Sequence, residues 1–249
     1  MNVLVCISNV PDTTTKVRFS DNDTRFDSSG VQWIINPWDE LALTRAMELK
    51  EDPSSSVEKV TVLTVGPASV EPTLRKALAI GADDAIRVDA DAPDAFFVAS
   101  QIAEVLRGGD FQIVLFGIES SDYNGSAVGG MVSELLGMPS VSAISSLNVQ
   151  NGDVAIKRDI DGGVEEVTVP LPFIGVVQKG IAKEPRIAAM RGIMMARKKP
   201  LQVRPATEAG PLTETVEFNM PPAKEPCKIF EPDQVSELVN LLQNEAKVI

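Results

Sequence analysis

The sequence predicts an α/β fold. It consists of a mostly parallel sheet with helices on both faces, antiparallel hairpin strands added to it, and an extended C-terminal arm with a terminal helix. Three observations predict it. Short Val- and Ile-rich runs alternate with helix-length segments from residue 1 to about 137, and such alternation packs as a covered parallel sheet. Residues 143–180 then change to a period of two, with turn signals at Asn151-Gly152 and Asp161-Gly162-Gly163. That pattern reads as hairpin strands at a sheet edge. The last stretch, "EAGPLTETVEFNMPPAKEPCKIFEPDQ", is proline-rich and acidic, the composition of an arm rather than a core.

The elements follow in order. "NVLVCISN", residues 2–9, is a buried strand, and "VQWIINP" an extended segment stopped by Pro37. "DELALTRAMELKE" places Leu41, Leu43, Ala46, Met47 and Leu49 at helical spacing, with Asp39 as the expected N-cap. "KVTVLTVGP" is the next strand, and residues 69–82 form a helix ended by Gly81. "DAIRVDA" is a strand, "DAFFVASQIAEVLRGG" a helix, "FQIVLFG" a strand, and "MVSELLG" a helix. From Ile181 to Pro200 the chain reads as irregular. The arm closes on "DQVSELVNLLQNEAKVI", an expected capped amphipathic helix. An arm of this kind suggests contact with another chain.

Composition excludes several functions. The 249 residues contain no histidine, so neither a Ser-His-Asp triad nor a His-ligated metal is available. Two cysteines, Cys6 and Cys227, make neither a disulfide framework nor a zinc site, and no metal site is expected. A net charge of −12 argues against nucleic acid as a partner. No apolar run is long enough to span a bilayer, and the N-terminus reads as a strand rather than a signal peptide. No membrane insertion is expected.

Four stretches carry candidate chemistry. "FGIESSDYNGSAVGG", residues 116–130, leaves a strand and enters a helix through small residues. It is either an ordinary connection or a loop whose backbone N–H groups approach an anion at a helix start. Its glycine spacing matches neither a Walker loop nor the dinucleotide fingerprint. In "INPWDE", Asn36 could bind a base or ribose, or Trp38 could simply pack while Asp39 caps. "RDIDGGVEE" is either a carboxylate pair or a solvated hairpin turn. Met190, Met194 and Met195, interleaved with Arg186, Arg191 and Arg197, suit an adaptable docking surface, or a core helix.

Several stretches resemble one family, the small (β) subunit of electron-transfer flavoprotein. They are "NVLVCISNVPDTTTKVRF", "GVQWIINPWDELALTRAMELKE", "VLTVGPASVEPTLRKALAIGADDAIRVD", "KRDIDGGVEEVTVPLP" and "KEPRIAAMRGIMMARKKP". Their order covers residues 2 to about 200. The specific motifs are Arg158, Asp161-Gly162-Gly163, Glu165 and Pro172, then Asn36 to Glu40, then Glu184-Pro185-Arg186. The resemblance implies an adenine-nucleotide hydrolase-like α/β fold. It implies pairing with an α subunit that holds most of the FAD. It also implies a carrier, not a stand-alone catalyst, taking electrons from acyl-CoA and related dehydrogenases to a quinone reductase. A structural AMP sits in the small subunit of ordinary members, and a second FAD in bifurcating ones. A stand-alone nucleotide hydrolase on the same fold is the alternative of the enzyme class.

Carried over by position, the nucleotide site comprises Cys6, Asn36, Pro37, Trp38, Val65 and Gly66. It adds Gly117, Ile118, Asp122, Asn124, Gly125, Ser126, Ala127 and Val128. Ser126, Ala127 and Val128 stand where the family often has polar side chains, which leaves the phosphate to backbone donors. The partner-recognition residues are Arg186, Met190, Ile193 and Met194, with Met190 at the anchor position. Asp159 sits where the family has an acid facing the flavin domain. The implied organisation is a nucleotide-binding domain over 1–200, with the recognition loop near 183–196, and a contacting arm over 201–249. The implied location is cytoplasmic for a bacterial protein and the mitochondrial matrix for eukaryotic relatives.

Overall fold

Successive residues of the first strand are buried on opposite faces. Val3 and Val5 join a cluster with Ala42, Leu43, Leu74 and Leu78. Leu4 and Cys6 join a separate one with Ala99, Ile102, Val105 and Val132. A strand covered on both sides has no polar face to spare, which is why "NVLVC" is continuously apolar. The computed structural model describes residues 1–150, 152–224 and 226–249. Asn151, half of the expected Asn-Gly turn, lies outside them.

The chain begins with β1 (Asn2–Cys6), β2 (Asn9–Pro11), β3 (Phe19–Ser20), β4 (Arg25–Phe26), β5 (Trp33–Ile35) and α1 (Pro37–Glu51). It continues through β6 (Lys59–Val65), α2 (Glu71–Ile80), β7 (Asp84–Asp89), α3 (Ala95–Arg107), β8 (Ile113–Gly117) and α4 (Val128–Leu136). Then come β9 (Ser140–Gln150), β10 (Asp153–Ile160), β11 (Gly163–Val167) and β12 (Phe173–Val177). The last elements are α5 (Met190–Ala196), β13 (Leu201–Pro205) and α6 (Val235–Asn244).

Nine strands form the main sheet in the order β11-β10-β9-β12-β8-β1-β6-β7-β13. From β9 to β13 neighbours pair parallel, and β10 and β11 extend the β9 edge as antiparallel strands. Helices α1 and α2 cover one face, and α3 and α4 the other. The expected mixed α/β sheet is therefore present.

Four expectations change. Residues 2–9 are not one strand: β1 stops at Cys6, and Asn9–Pro11 pairs antiparallel with β5 outside the main sheet. Residues 143–180 are not all hairpin. β12 lies inside the sheet, parallel to both β8 and β9, with Phe173, Ile174 and Val177 fully buried. Its unbroken "FIGVV" is the mark of a strand covered on both faces. Leu201–Pro205 is not arm but an edge strand, parallel to β7. The region read as irregular contains the seven-residue α5.

Candidate functional site

Strand order reverses direction at β1. The chain moves outward through β6 and β7, then returns to place β8 on β1's other side. Loops leaving such neighbours diverge, and the crevice beyond their carboxyl ends is where open α/β sheets bind ligands. A pocket of about 500 Å³ lies there. A second hollow of about 620 Å³ lies on the β10–β11 hairpin, lined by residues such as Lys157 and Glu166, not at those strand ends.

Cys6 and Val65 line the pocket from the ends of β1 and β6, with Gly66 just beyond. Gly117, Ile118 and Asp122 line it from the β8–α4 loop, followed by Gly125, Ser126, Ala127 and Val128. Asn36, Pro37, Trp38 and Asn124 are not on its wall. Asn36 is 1% exposed and acts from behind. Its Nδ2 donates to the Glu119 carbonyl at 2.8 Å, and its Oδ1 accepts the Ser121 N–H at 3.2 Å. Pro37 is the first residue of α1, where its missing N–H costs nothing. Trp38 packs against Gly117, where an added Cβ would stand 2.5 Å from the Trp38 Cβ.

Asp39 is not the cap of α1. The helix starts two residues earlier, with Asn36 at the N-cap making no side-chain cap bond. Asp39 instead joins two strand exits: its carboxylate accepts the Ser8 N–H at 2.7 Å and the Gly117 N–H at 2.9 Å. Burial pushes its pKa up to about 6, against the opposing pull of those N–H groups and of Asn36. Burial also raises the Cys6 thiol well above its ordinary value, with the Asp39 charge adding to it.

The far side of the pocket is held from below by Arg87, only 4% exposed. It donates to the Gly66 carbonyl at 2.9 Å and pairs with Glu71 at 3.1 Å and Asp89 at 2.5 Å. Its charge is thus compensated where it is buried. Thr64 donates to the Ile7 carbonyl at 2.7 Å, tying the β6 and β1 exits.

The β8–α4 loop has φ of +50° at Asn124 and +46° at Ser126, followed by helical-region Ala127. Alternation of this kind turns successive N–H groups to one side, forming an anion-binding concavity. α4 begins at Val128, one turn before the expected "MVSELLG", and its N-cap, Ala127, offers no side-chain acceptor. Its first-turn N–H groups therefore remain free of a side-chain cap. None of the described residues lining the pocket is lysine or arginine. The donors on offer are backbone N–H groups, hydroxyls including those of Ser8, Ser120 and Ser126, and the Asn9 side-chain amide. The wall also carries the acidic side chains of Asp39, Asp94, Glu119 and Asp122, so a mononucleotide phosphate fits where the neutral donors of the β8–α4 loop and the start of α4 gather, away from those acids.

Sequence reasoning missed one whole wall. Pro93, Asp94, Ala95 and Val98 line the pocket from the start of α3, and Thr213 and Thr215 line it from the arm. Asp94 caps α3 by accepting the Phe97 N–H at 2.8 Å. It also accepts the Leu212 and Thr213 N–H groups at 2.7 and 2.9 Å. Burial raises its pKa, but these bonds and the Thr213 hydroxyl outweigh that and hold it below the ordinary value. The Asp at the head of "DAFFVAS" signalled a cap. Nothing in the aperiodic arm signalled Thr213.

The second candidate surface is α5. Arg186 ties its approach to α1: the backbone N–H donates to Thr44 Oγ1 at 2.9 Å and the guanidinium to Glu51 at 2.7 Å. Lys199 Nζ donates to the carbonyls of Leu78, Gly81 and Ala82 at the end of α2. Gly192 lies on α2, where any Cβ would collide with the Ala79 carbonyl. Of α5 only Ala196 is buried. Met190 is 74% exposed, and Ile193 and Met194 also face outward. The segment is a helix but not a core one. In the hairpin, Lys157 pairs with Glu166 at 2.9 Å, and Arg158 approaches Glu165 at 3.1 Å without hydrogen-bond alignment. These acids are spread across exposed cross-strand ion pairs, not gathered as a carboxylate pair. Asp159 accepts from the Ser145 hydroxyl and the Gln178 amide.

Fold and pocket define a class: an open α/β protein whose ligand crevice sits at the switch point of a parallel sheet. Residues 23–209 match the family model described as electron transfer flavoprotein domain. Electron transfer flavoprotein subunit beta of Bacillus subtilis (strain 168) is 35% identical, with all of both chains covered. The protein of the same name from Syntrophomonas wolfei is 34% identical over all of this chain and 98% of its own. Electron transfer flavoprotein subunit beta, mitochondrial, of Oryza sativa subsp. japonica is 31% identical over all of both. The chain belongs to the electron-transfer flavoprotein β-subunit family. Among the described residues, no helix is long and apolar enough to cross a membrane.

Proposed function

We propose that this chain is the β subunit of a heterodimeric electron carrier, holding a structural AMP in the pocket beyond β1, β6 and β8. The observation that carries the nucleotide reading is the pocket itself: about 500 Å³, without a basic side chain, walled by Gly66, a positive-φ loop and the start of α4. A phosphate there is held by the N–H groups of residues 125–128; Asn36 holds that loop from behind, and Asp39, itself on the pocket wall, holds the loop's start at Gly117. The α subunit provides most of the FAD site, and FAD supplies the electron-carrying chemistry.

Acyl-CoA and related dehydrogenases are the proposed donors and a quinone reductase the acceptor. α5 is the proposed dehydrogenase-docking element, because it exposes Met190, Ile193 and Met194 on a firmly seated helix. Residues 206–249 form the proposed contacting arm toward the α subunit. The chain acts as a carrier subunit rather than a stand-alone catalyst.

The test is to purify the heterodimer, denature it and identify the released nucleotides by mass spectrometry. One AMP and one FAD per heterodimer is the expected result. Two FAD and no AMP would replace the reading by a bifurcating one. Turnover of ATP by the purified chain would replace it by a hydrolase.

A further inference from the structure

The arm does not leave the sheet freely. After β13, Thr207 is fixed to α3 by Gln101, itself 1% exposed. The Gln101 amide donates to the Thr207 carbonyl at 3.1 Å and accepts its N–H at 2.8 Å and its hydroxyl at 3.0 Å. Five residues on, the Asp94 carboxylate gathers the N–H groups of Leu212 and Thr213 and the Thr213 hydroxyl. Thr213 and Thr215 form part of the pocket wall. The far end is pinned again: the Phe218 N–H donates to the Asp23 carbonyl at 2.7 Å. The Phe218 ring stacks on Phe19, with centroids 4.9 Å apart and planes at 11°. Residues 207–218 are therefore held to this chain at both ends and touch the pocket between them.

The geometry points to a second role for this segment: residues 207–218 are a strap that closes the nucleotide pocket, and its latches at Asp94 and Phe19 set how fast the nucleotide leaves. This rests on the nucleotide reading above. The strap also supplies ligand contacts. Thr213 and Thr215 bring neutral hydroxyls to a pocket that has no basic side chain, which suits a sugar hydroxyl or phosphate oxygen. For the nucleotide to exit past the strap, the hydrogen bonds to Asp94 or the Phe218–Phe19 stack must open. Past Phe218 the described arm and α6 have no buried residue.

Two variants separate the latches from the fold. Asp94→Asn keeps an oxygen to cap α3, since asparagine is as good an N-cap as aspartate. It replaces the oxygen that accepts from Leu212 and Thr213 with an amide that cannot. Phe218→Ala removes the stack and touches neither α3 nor the sheet. The measurement is release of radiolabelled AMP from the purified heterodimer, chased with unlabelled AMP, beside a thermal melt. Each variant should release AMP about tenfold faster, a change equivalent to ~1.4 kcal/mol, with the melting temperature little changed. Equal release rates from the original protein and both variants overturn the strap while leaving the nucleotide reading intact. An original protein that holds no AMP overturns that reading, and the strap's role with it.

Discussion

Asp39 is a carboxyl buried between two strand exits, and its consequence is a pH dependence. Its pKa rises from 3.8 to about 6 in the folded chain, so the folded state binds this proton more tightly than the unfolded one. Its contribution to stability is complete below about pH 4 and is lost as pH rises through about 6. Two pKa units correspond to roughly 3 kcal/mol. Asp39→Asn should remove that slope: the stability difference between the original protein and the variant, measured by urea unfolding from pH 4.5 to 7.5, should change across the window. A constant difference would show that Asp39 does not titrate there. Ser126 offers a second residue-scale test. Its φ of +46° is tolerable for aspartate, so Ser126→Asp should keep the loop while placing a negative charge at the anion concavity. Copurified AMP should fall severalfold by mass spectrometry, and equal AMP in both proteins would remove the loop from the site.

At the scale of the element, α5 presents two faces with opposite expectations. Met190 lies on the outer face, 74% exposed. Met190→Ala should therefore leave the melting temperature unchanged. It should weaken docking of a cognate dehydrogenase about tenfold, or ~1.4 kcal/mol, read in the donor's apparent Michaelis constant. Gly192 lies on the inner face against the Ala79 carbonyl. Gly192→Ala forces the two helices apart, and overpacking of this kind typically costs about 1 to 3 kcal/mol. That variant should melt at lower temperature. If instead Met190→Ala lowers the melt and spares electron transfer, α5 is not a docking helix.

For the whole molecule, the decisive division is between the part of the arm that this chain holds and the part it does not. Residues 207–218 are bound to α3 and to the β3–β4 hairpin. α6 has no buried residue, and Val235, Leu238 and Val239 are exposed. Its expected cap is absent: Gln234 makes no side-chain cap bond to α6, and its Oε1 accepts the Glu231 N–H instead. A helix with an unburied apolar face has little stability of its own. Deleting residues 221–249 should leave the sheet's thermal melt nearly unchanged and weaken copurification with the α subunit. Undiminished copurification would place the heterodimer contact elsewhere.

The sequence by itself determined the alternation of strands and helices, the switch to hairpins, and the loop at residues 117–128. These are local properties: period, turn chemistry and glycine placement act over a few residues. It also excluded histidine chemistry, because composition alone decides that. Only the tertiary structure decided which strands are neighbours. β12 follows a hairpin in the chain yet lies between β8 and β9, because Phe173 and Ile174 are buried on opposite faces of the sheet. Asp39 looked like a cap because capping is a local rule, and its partners at Ser8 and Gly117 are 31 and 78 residues away. Thr213 reaches Asp94 across 119 residues through an aperiodic arm. Hydrogen bonds of that range leave no repeat in the sequence, so the pocket wall formed by the start of α3 and the arm exists only once the chain has folded.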